Sequence, residues 1–244
     1  MGFLAPLACV LWNNPAVYAA EWGWAAADAG MAASLYAAAS VRWVEEGRTT
    51  HAVSVWAREA EMEAAWHQLG FGRVVVDAVR DLGPVEVPRA GVSIRRAGPG
   101  DAGALAGLEN ALWEYLAAPP TCRVHPPPGG AAEAAPRLAD PAQPVWVAEV
   151  GGSAVGFVSM RAEGDAPAAL RSPSLVRCDG AFVVPGERSR GVGVALLASA
   201  LEWARESGFT GCTLDFESAN PAAARFWPRA GFRAVLHSLV RRVA

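Results

Sequence analysis

The clearest alternation of apolar and polar positions lies in the last third of the chain. From 194 to 206, Val194, Leu197, Leu201 and Ala204 recur at helical spacing, with Ser199, Glu202 and Arg205 opposite, which predicts an amphipathic helix. Gly208 is placed to end it. "CDGAFVV" (178–184) before this helix and "CTLDFE" (212–217) after it read as strands. Asn220-Pro221 then supplies an N-cap and a first-turn proline for another helix, ending near Gly231. Further upstream, "VSIRRAG" (92–98) reads as a strand and "DAGALAGLENALWEYLA" (101–117) as a helix. "VWVAEV" and "AVGFVSM" read as two strands joined by the turn Gly151-Gly152. Residues 118–144, rich in proline and alanine, predict a long loop with room for a short helix.

The pattern repeats. A shift of 161 residues lays "LGFGRVVVDAVRDL" (69–82) on "AGFRAVLHSLVRRV" (230–243), matching Gly70 with Gly231, Phe71 with Phe232, Val74 with Val235, Val79 with Val240 and Arg80 with Arg241. The same shift matches Trp66 with Trp227, Gly47 with Gly208, Leu35 with Leu196 and Gly30 with Gly191, with no gap from 30 to 80. Two copies of one unit are expected. The second, 92–244, is complete; the first, 1–82, is truncated, and 83–91 links them. Met1-Gly2-Phe3-Leu4 resembles Val155-Gly156-Phe157-Val158, so the first copy is expected to begin at the unit's third strand. "VVVDAV" (74–79) reads as a strand of high β-propensity, expected to dock against the second copy and to trade places with the matching strand 235–243.

Composition narrows the class. With 244 residues, 52% apolar and 18% charged, the chain can bury real cores. A net charge of −3 gives no pull toward nucleic acid or an anionic membrane. All 21 basic residues are arginine, which with abundant Ala, Gly and Pro points to a GC-rich bacterial genome rather than to chemistry. Cys9, Cys122, Cys178 and Cys212 form no metal-ligand spacing, so reduced thiols, no metal and a cytoplasmic setting are expected. The apolar start "MGFLAPLACVLW" has no positive charge before Arg42 and falls short of the ~20 residues of a membrane span, so neither export nor anchoring is expected.

Candidate chemistry centres on "VVPGERSRGVGVALLASALEWARESG" (183–208). Gly191 and Gly193 let the backbone turn and approach a ligand, and the helix that follows offers free N–H groups and a positive dipole end. With Arg188 and Arg190 alongside, the stretch forms an anion cradle suited to a pyrophosphate. An ordinary strand-to-helix turn with solvated arginines fits the stretch alone equally well.

Arg188-x-x-Gly191-x-Gly193 after Val183-Val184-Pro185 resembles the acyl-CoA motif of the GNAT superfamily of N-acyltransferases. "LDFESANPAAARFWPRAGF" (214–232) resembles the family's strand, asparagine and closing Gly-Phe. The resemblance covers 92–244 and, more faintly, 1–82, and implies a mixed α/β GNAT fold, tandem, with a complete C-terminal and a partial N-terminal domain. It further implies that acetyl-CoA lies between the strands 178–184 and 212–217, with its pyrophosphate on the amides of Arg188, Ser189, Arg190, Gly191, Val192, Gly193 and Val194. Phe182 belongs to the same strand, and an N–H near Val183 or Val184 would polarise the thioester. Asn220, Ala223 and Phe226 would pack along the pantetheine arm.

Many members carry a tyrosine acid where this chain has Trp227, whose indole N–H is no acid near neutral pH. Asp179 and Glu217 are the candidate bases, and Glu109, Glu114 and His125 come from segments that line the acceptor site in the family. His51, His67 and His237 read as structural. In the first copy Ala27 replaces Arg188, Ala32 replaces Gly193, and Trp22-Gly23-Trp24 stands where the CoA strand belongs, so its groove should be filled. The expected activity is acetyl transfer from acetyl-CoA to a primary amine of a small molecule or peptide, by a monomer or homodimer. The alternative is a non-catalytic acyl-CoA-binding or scaffold protein.

Overall fold

The computed structural model describes residues 16–20, 23–87, 91–124, 126–162 and 166–243. The first elements are β1 (Ala16–Ala19), α1 (Ala29–Glu45), β2 (Thr50–Trp56), α2 (Ala60–Gln68) and β3 (Gly72–Asp81). They are followed by β4 (Ser93–Arg96), α3 (Ala102–Ala117), α4 (Ala131–Ala139), β5 (Val145–Val150), β6 (Ser153–Arg161) and β7 (Leu175–Val183). The chain closes with α5 (Val192–Glu206), β8 (Gly211–Glu217), α6 (Pro221–Arg229) and β9 (Arg233–Arg242). Helices and mixed sheet make an α/β fold, as expected. No described helix is long and apolar enough to cross a membrane.

Two compact units form: Met1–Ala78 with Asp215–Ala244, and Val79–Leu214. β3 and β8 each contribute residues to both. In the first unit the strand order is β1-β2-β9-β3-β8, the last counted by its residues from Asp215. β1 and β2 are parallel, Ala16↔Thr50 to Ala19↔Val53, and β2 and β9 are antiparallel, Thr50↔Arg242 to Trp56↔Leu236. β9 thus stands beside the first copy's strand and β3 beside the second's, the exchange the repeat predicts. The offset itself has a structural counterpart. Gly70 and Gly231 adopt φ of +83° and +88°, and the Phe71 and Phe232 N–H groups donate to the carbonyls of Trp66 and Trp227, both at 3.1 Å. Each Trp–Phe pair meets edge-to-face, 4.9 Å and 5.3 Å between ring centroids. The opening tetrapeptide matched to Val155–Val158 lies outside the described residues.

Tyr36, Val53, Val55, Trp66, Phe71 and Leu239 form the first unit's core. Its buried histidines are held by hydrogen bonds. His51 Nε2 must donate to the Arg48 carbonyl, 3.2 Å away, so Nδ1 accepts from the Tyr36 hydroxyl at 2.9 Å. His237 Nδ1 donates to Glu63 Oε2 at 2.8 Å, and Arg73 holds the other carboxylate oxygen at 2.6 Å. Burial pushes the pKa of His51 and His237 below the usual 6.5, against a carbonyl bond in one and the Glu63 bond in the other. Burial raises Glu63, but its bonds to His237 and Arg73 outweigh that and hold it below 4.5. All three groups bind protons more weakly folded than unfolded, so their stabilisation is complete above 6.5 and drains away as pH falls. Thermal melts should therefore drop steadily from pH 7 toward pH 5. A melting temperature flat across that range would sink this reading of the cluster.

In the second unit β7, β6, β5 and β4 pair antiparallel in that order, and β8 lies parallel to β7 on the other side. Leu105, Leu108, Val145, Val147, Phe157 and Phe182 pack into a core beneath α3 and α4. Trp146, one residue out of phase, turns to the other face and meets Trp203 of α5 at 5.7 Å.

Candidate functional site

β7 positions the site. Its register with β8 runs Leu175↔Gly211, Val176↔Cys212 and Arg177↔Thr213, and β7 continues past these pairs to Val183. On its other edge Val183 lies opposite Gly156, while the Val184 N–H donates to the Val155 carbonyl at 2.9 Å. Antiparallel alternation then turns the N–H and C=O of Val183 away from β6. Of the two amides expected to polarise a thioester, Val184 is already engaged and Val183 points to the open edge.

After Val183 the chain makes a short 3-10 turn, Pro185–Glu187, and enters α5 through Ser189 at φ +62° and Gly191 at φ +84°. The left-handed conformation at Gly191 is one a side chain strains to adopt. No side chain caps α5, and its first intrahelical bond runs from the Ala195 N–H to the Gly191 carbonyl. The N–H groups of Val192, Gly193 and Val194 thus lie ahead of the intrahelical ladder, at the positive end of the helix dipole. That is an anion site made of backbone.

The arginines differ from the expected picture. Arg188 folds back, donating from Nε to the Val183 carbonyl at 2.9 Å, with its guanidinium 4.2 Å from the Tyr115 ring centroid. It fixes the end of β7 against α3 rather than lying over the helix terminus. Arg190 is exposed and pairs with Glu187 at 2.8 Å. The charge offered to an anion here comes chiefly from main-chain dipoles.

Asp179 is the extra residue of a bulge: Ser159 faces Gly180 while Met160 faces Cys178. The bulge turns its carboxylate to Arg161 Nη2 at 2.5 Å, with Arg177 Nε 4.0 Å away. Glu109 pairs with Arg137 at 2.6 Å, and Glu114 is exposed. His125 lies outside the described residues. Phe182 is buried in the α3 core.

The remaining candidates lie in the first unit. Glu217 ends β8, half-buried, and its carbonyl accepts from the Asn220 N–H at 2.9 Å. Asn220 caps α6, its Oδ1 accepting from Ala222 and Ala223 N–H groups at 3.1 and 3.2 Å. Phe226 is half-buried and meets Trp227 edge-on at 4.8 Å. Trp227 itself is buried in packing.

The first copy's counterpart of the cradle is closed from within. Asp28, at the repeat position of Ser189, caps α1 by accepting from the Met31 N–H at 2.8 Å, so a carboxylate already sits where an anion would bind. Trp24 donates from its indole to the Ser54 carbonyl at 3.1 Å and packs against Trp66, filling the end of β2. Trp22 lies outside the described residues. Sequence reading anticipated the tryptophan but missed Asp28, whose signal was an Asp three residues before Met31 at a helix start.

A family model described as the acetyltransferase (GNAT) family matches residues 108–232, just over half of the chain. An aminoglycoside N(6')-acetyltransferase type 1 from Klebsiella aerogenes is 33% identical over 99 residues, 41% of this chain and 64% of that enzyme. The chain thus matches less than two thirds of the length of this relative. Among solved structures, a GCN5-related N-acetyltransferase from Sphaerobacter thermophilus aligns with a TM-score of 0.58 at 17% identity, over 86% of this chain and 68% of that one. An aminoglycoside N-acetyltransferase AAC(6')-Iy in complex with CoA aligns with a TM-score of 0.51 at 23% identity, over 66% and 95%. A tandem GNAT protein from the clavulanic acid biosynthesis pathway aligns with a TM-score of 0.50 at 16% identity, over 94% and 76%. At these identities the structural matches speak for the fold.

Proposed function

The chain belongs to the GNAT acetyltransferase family, and from that premise we propose that it moves an acetyl group from acetyl-CoA to a primary amine of a small molecule or peptide. The observation that carries this reading is the uncapped start of α5 behind Gly191, directly after the open edge of Val183. The pyrophosphate meets the N–H groups of Val192 to Val194, and the thioester carbonyl accepts from the Val183 N–H. The amine attacks the carbonyl carbon, the carbon–sulfur bond breaks, and the amine proton passes to a carboxylate. Asp179, though its carboxylate is held by Arg161, and Glu217 are the two candidates for that role; the family resemblance assigns Asn220, Ala223 and Phe226 to the pantetheine arm. The repeat boundaries 1–82 and 92–244 are kept as the tandem division, and the cytoplasm as the setting.

Trp227 favours a second reading, acyl-CoA binding without turnover, because the buried indole cannot protonate the departing thiolate. Release of free CoA thiol across a panel of amines separates the two: release supports transfer, and binding without release supports the second reading. Asp179→Asn or Glu217→Gln, whichever removes the base, should slow release by ~10²–10⁴ with little change in acetyl-CoA affinity. Unchanged rates in both would exclude these carboxylates.

A further inference from the structure

The end of β7 is held from two sides, and only one of them is strand pairing. On the β6 side Val183 lies opposite Gly156, and the Val184 N–H donates to the Val155 carbonyl at 2.9 Å. The fit there is close: a Cβ on Gly156 would lie 2.7 Å from the Phe182 carbonyl oxygen and 3.2 Å from the Val183 side chain. On the other edge, pairing with β8 ends at Arg177↔Thr213, well before Val183. The Val183 carbonyl therefore faces an edge where no ladder bond holds it. Arg188 supplies the missing partner. Its Nε–H donates to that carbonyl at 2.9 Å. Its guanidinium carbon stands 4.2 Å from the ring centroid of Tyr115 on α3 and 5.5 Å from that of Phe182, the residue before Val183. One side chain thus ties the strand end to the helix. Among the described residues no carboxylate pairs with Arg188, and the adjacent Glu187 is taken by Arg190 at 2.8 Å.

We propose that Arg188 is a positioning residue for acyl transfer. By holding the Val183 carbonyl it keeps the N–H of the same residue, which points to the same side of the strand, aimed into the open edge. The pyrophosphate is left to the helix amides. A hydrogen-bond donor to a developing oxyanion works only when it is fixed beforehand. Arginine suits the task because one planar group can donate and stack at once, which an ammonium cannot. The inference rests on the transferase reading for the thioester at Val183; two of its readouts need no turnover.

The full-length protein is compared with Arg188→Met and Arg188→Lys. Acetyl-CoA affinity is measured by calorimetry, and kcat by thiol release with the fastest amine of the panel. The infrared band of bound acetyl-CoA, isotope-labelled at its thioester carbonyl, reads the polarisation directly. Arg188→Met should lower kcat by ~10- to 100-fold, the cost of a slight misplacement at a reacting centre. Its acetyl-CoA affinity should stay within about threefold, because the amides of Val192 to Val194 are untouched. The carbonyl band, moved to lower frequency in the unmodified protein, should return toward its position in free acetyl-CoA. Arg188→Lys should recover only part of the rate, and it carries the same readouts if Arg188→Met does not melt cooperatively. Tyr115→Leu should lower kcat more than Tyr115→Phe, which keeps the ring. An affinity loss of about tenfold or more in folded Arg188→Met, the scale of a charged hydrogen bond, would put Arg188 on the pyrophosphate and overturn the proposal. A kcat and band equal to those of the unmodified protein would overturn it too. If the unmodified protein releases no thiol, a band shifted there and relaxed in Arg188→Met keeps the positioning role and counts against the transferase reading. No shift in the unmodified protein overturns the positioning role.

Discussion

Gly191→Trp should abolish acetyl-CoA binding while leaving the chain folded. The residue stands at φ +84° at the entry to α5, so a bulky side chain is both strained there and set over the amides of Val192 to Val194. The strain is roughly 1–2 kcal/mol, the cost of a left-handed conformation for a side-chain-bearing residue. For a chain of this size that lowers the melting temperature by only a few degrees. The loss of binding is far larger, because the pyrophosphate forfeits its backbone donors. Calorimetry of the variant beside a melting curve separates the two effects: no heat of binding with a cooperative melt is the expected pair. Full binding in a folded Gly191→Trp chain would place the CoA site elsewhere.

Residues 1–90 expressed alone should be insoluble or molten, and 91–244 alone should lose stability. In the first unit β9 lies between β2 and β3, so cutting the chain at the linker removes the strand that joins them. What remains is the parallel pair of β1 and β2, short of cover, and β3 without its neighbours. β3 presents Val74-Val75-Val76, a segment prone to edge-to-edge association when unpaired. The complementary fragment keeps β8, α6 and β9 but loses the β3 and β2 partners of the strands at its end. A soluble 1–90 fragment with a sharp, cooperative melt would overturn the exchange of β3 and β9 as a determinant of folding.

The second copy was legible because its patterns are local. Alternation marks β8, apolar runs bounded by turns mark β5 to β7, spacing marks α5, and Asn220-Pro221 marks α6. The first copy was harder for physical reasons. α1 buries only Ala32 and Tyr36 and leaves Met31, Leu35, Val41 and Val44 exposed, so its apolar residues trace no single face. Leu35 and Leu196 occupy one repeat position, yet the first is exposed and the second buried. β2 buries Thr50, His51 and Ser54 among its apolar residues, which breaks the alternation a strand is recognised by. Their partners, Tyr36 for His51 and Tyr18 and Ser238 for Ser54, are remote in sequence. The site divides the same way. Gly191 and the helix start were readable as a motif, whereas the fold-back of Arg188 onto Tyr115 and the bulge at Asp179 depend on strands and helices meeting in space.

The central claim is that one of two related copies holds a working acyl-CoA cradle while the other is plugged by Trp24 and pre-occupied by Asp28. Calorimetric titration of the intact chain with acetyl-CoA tests it most directly. The account predicts one molecule bound per chain; two per chain, or none, would contradict it.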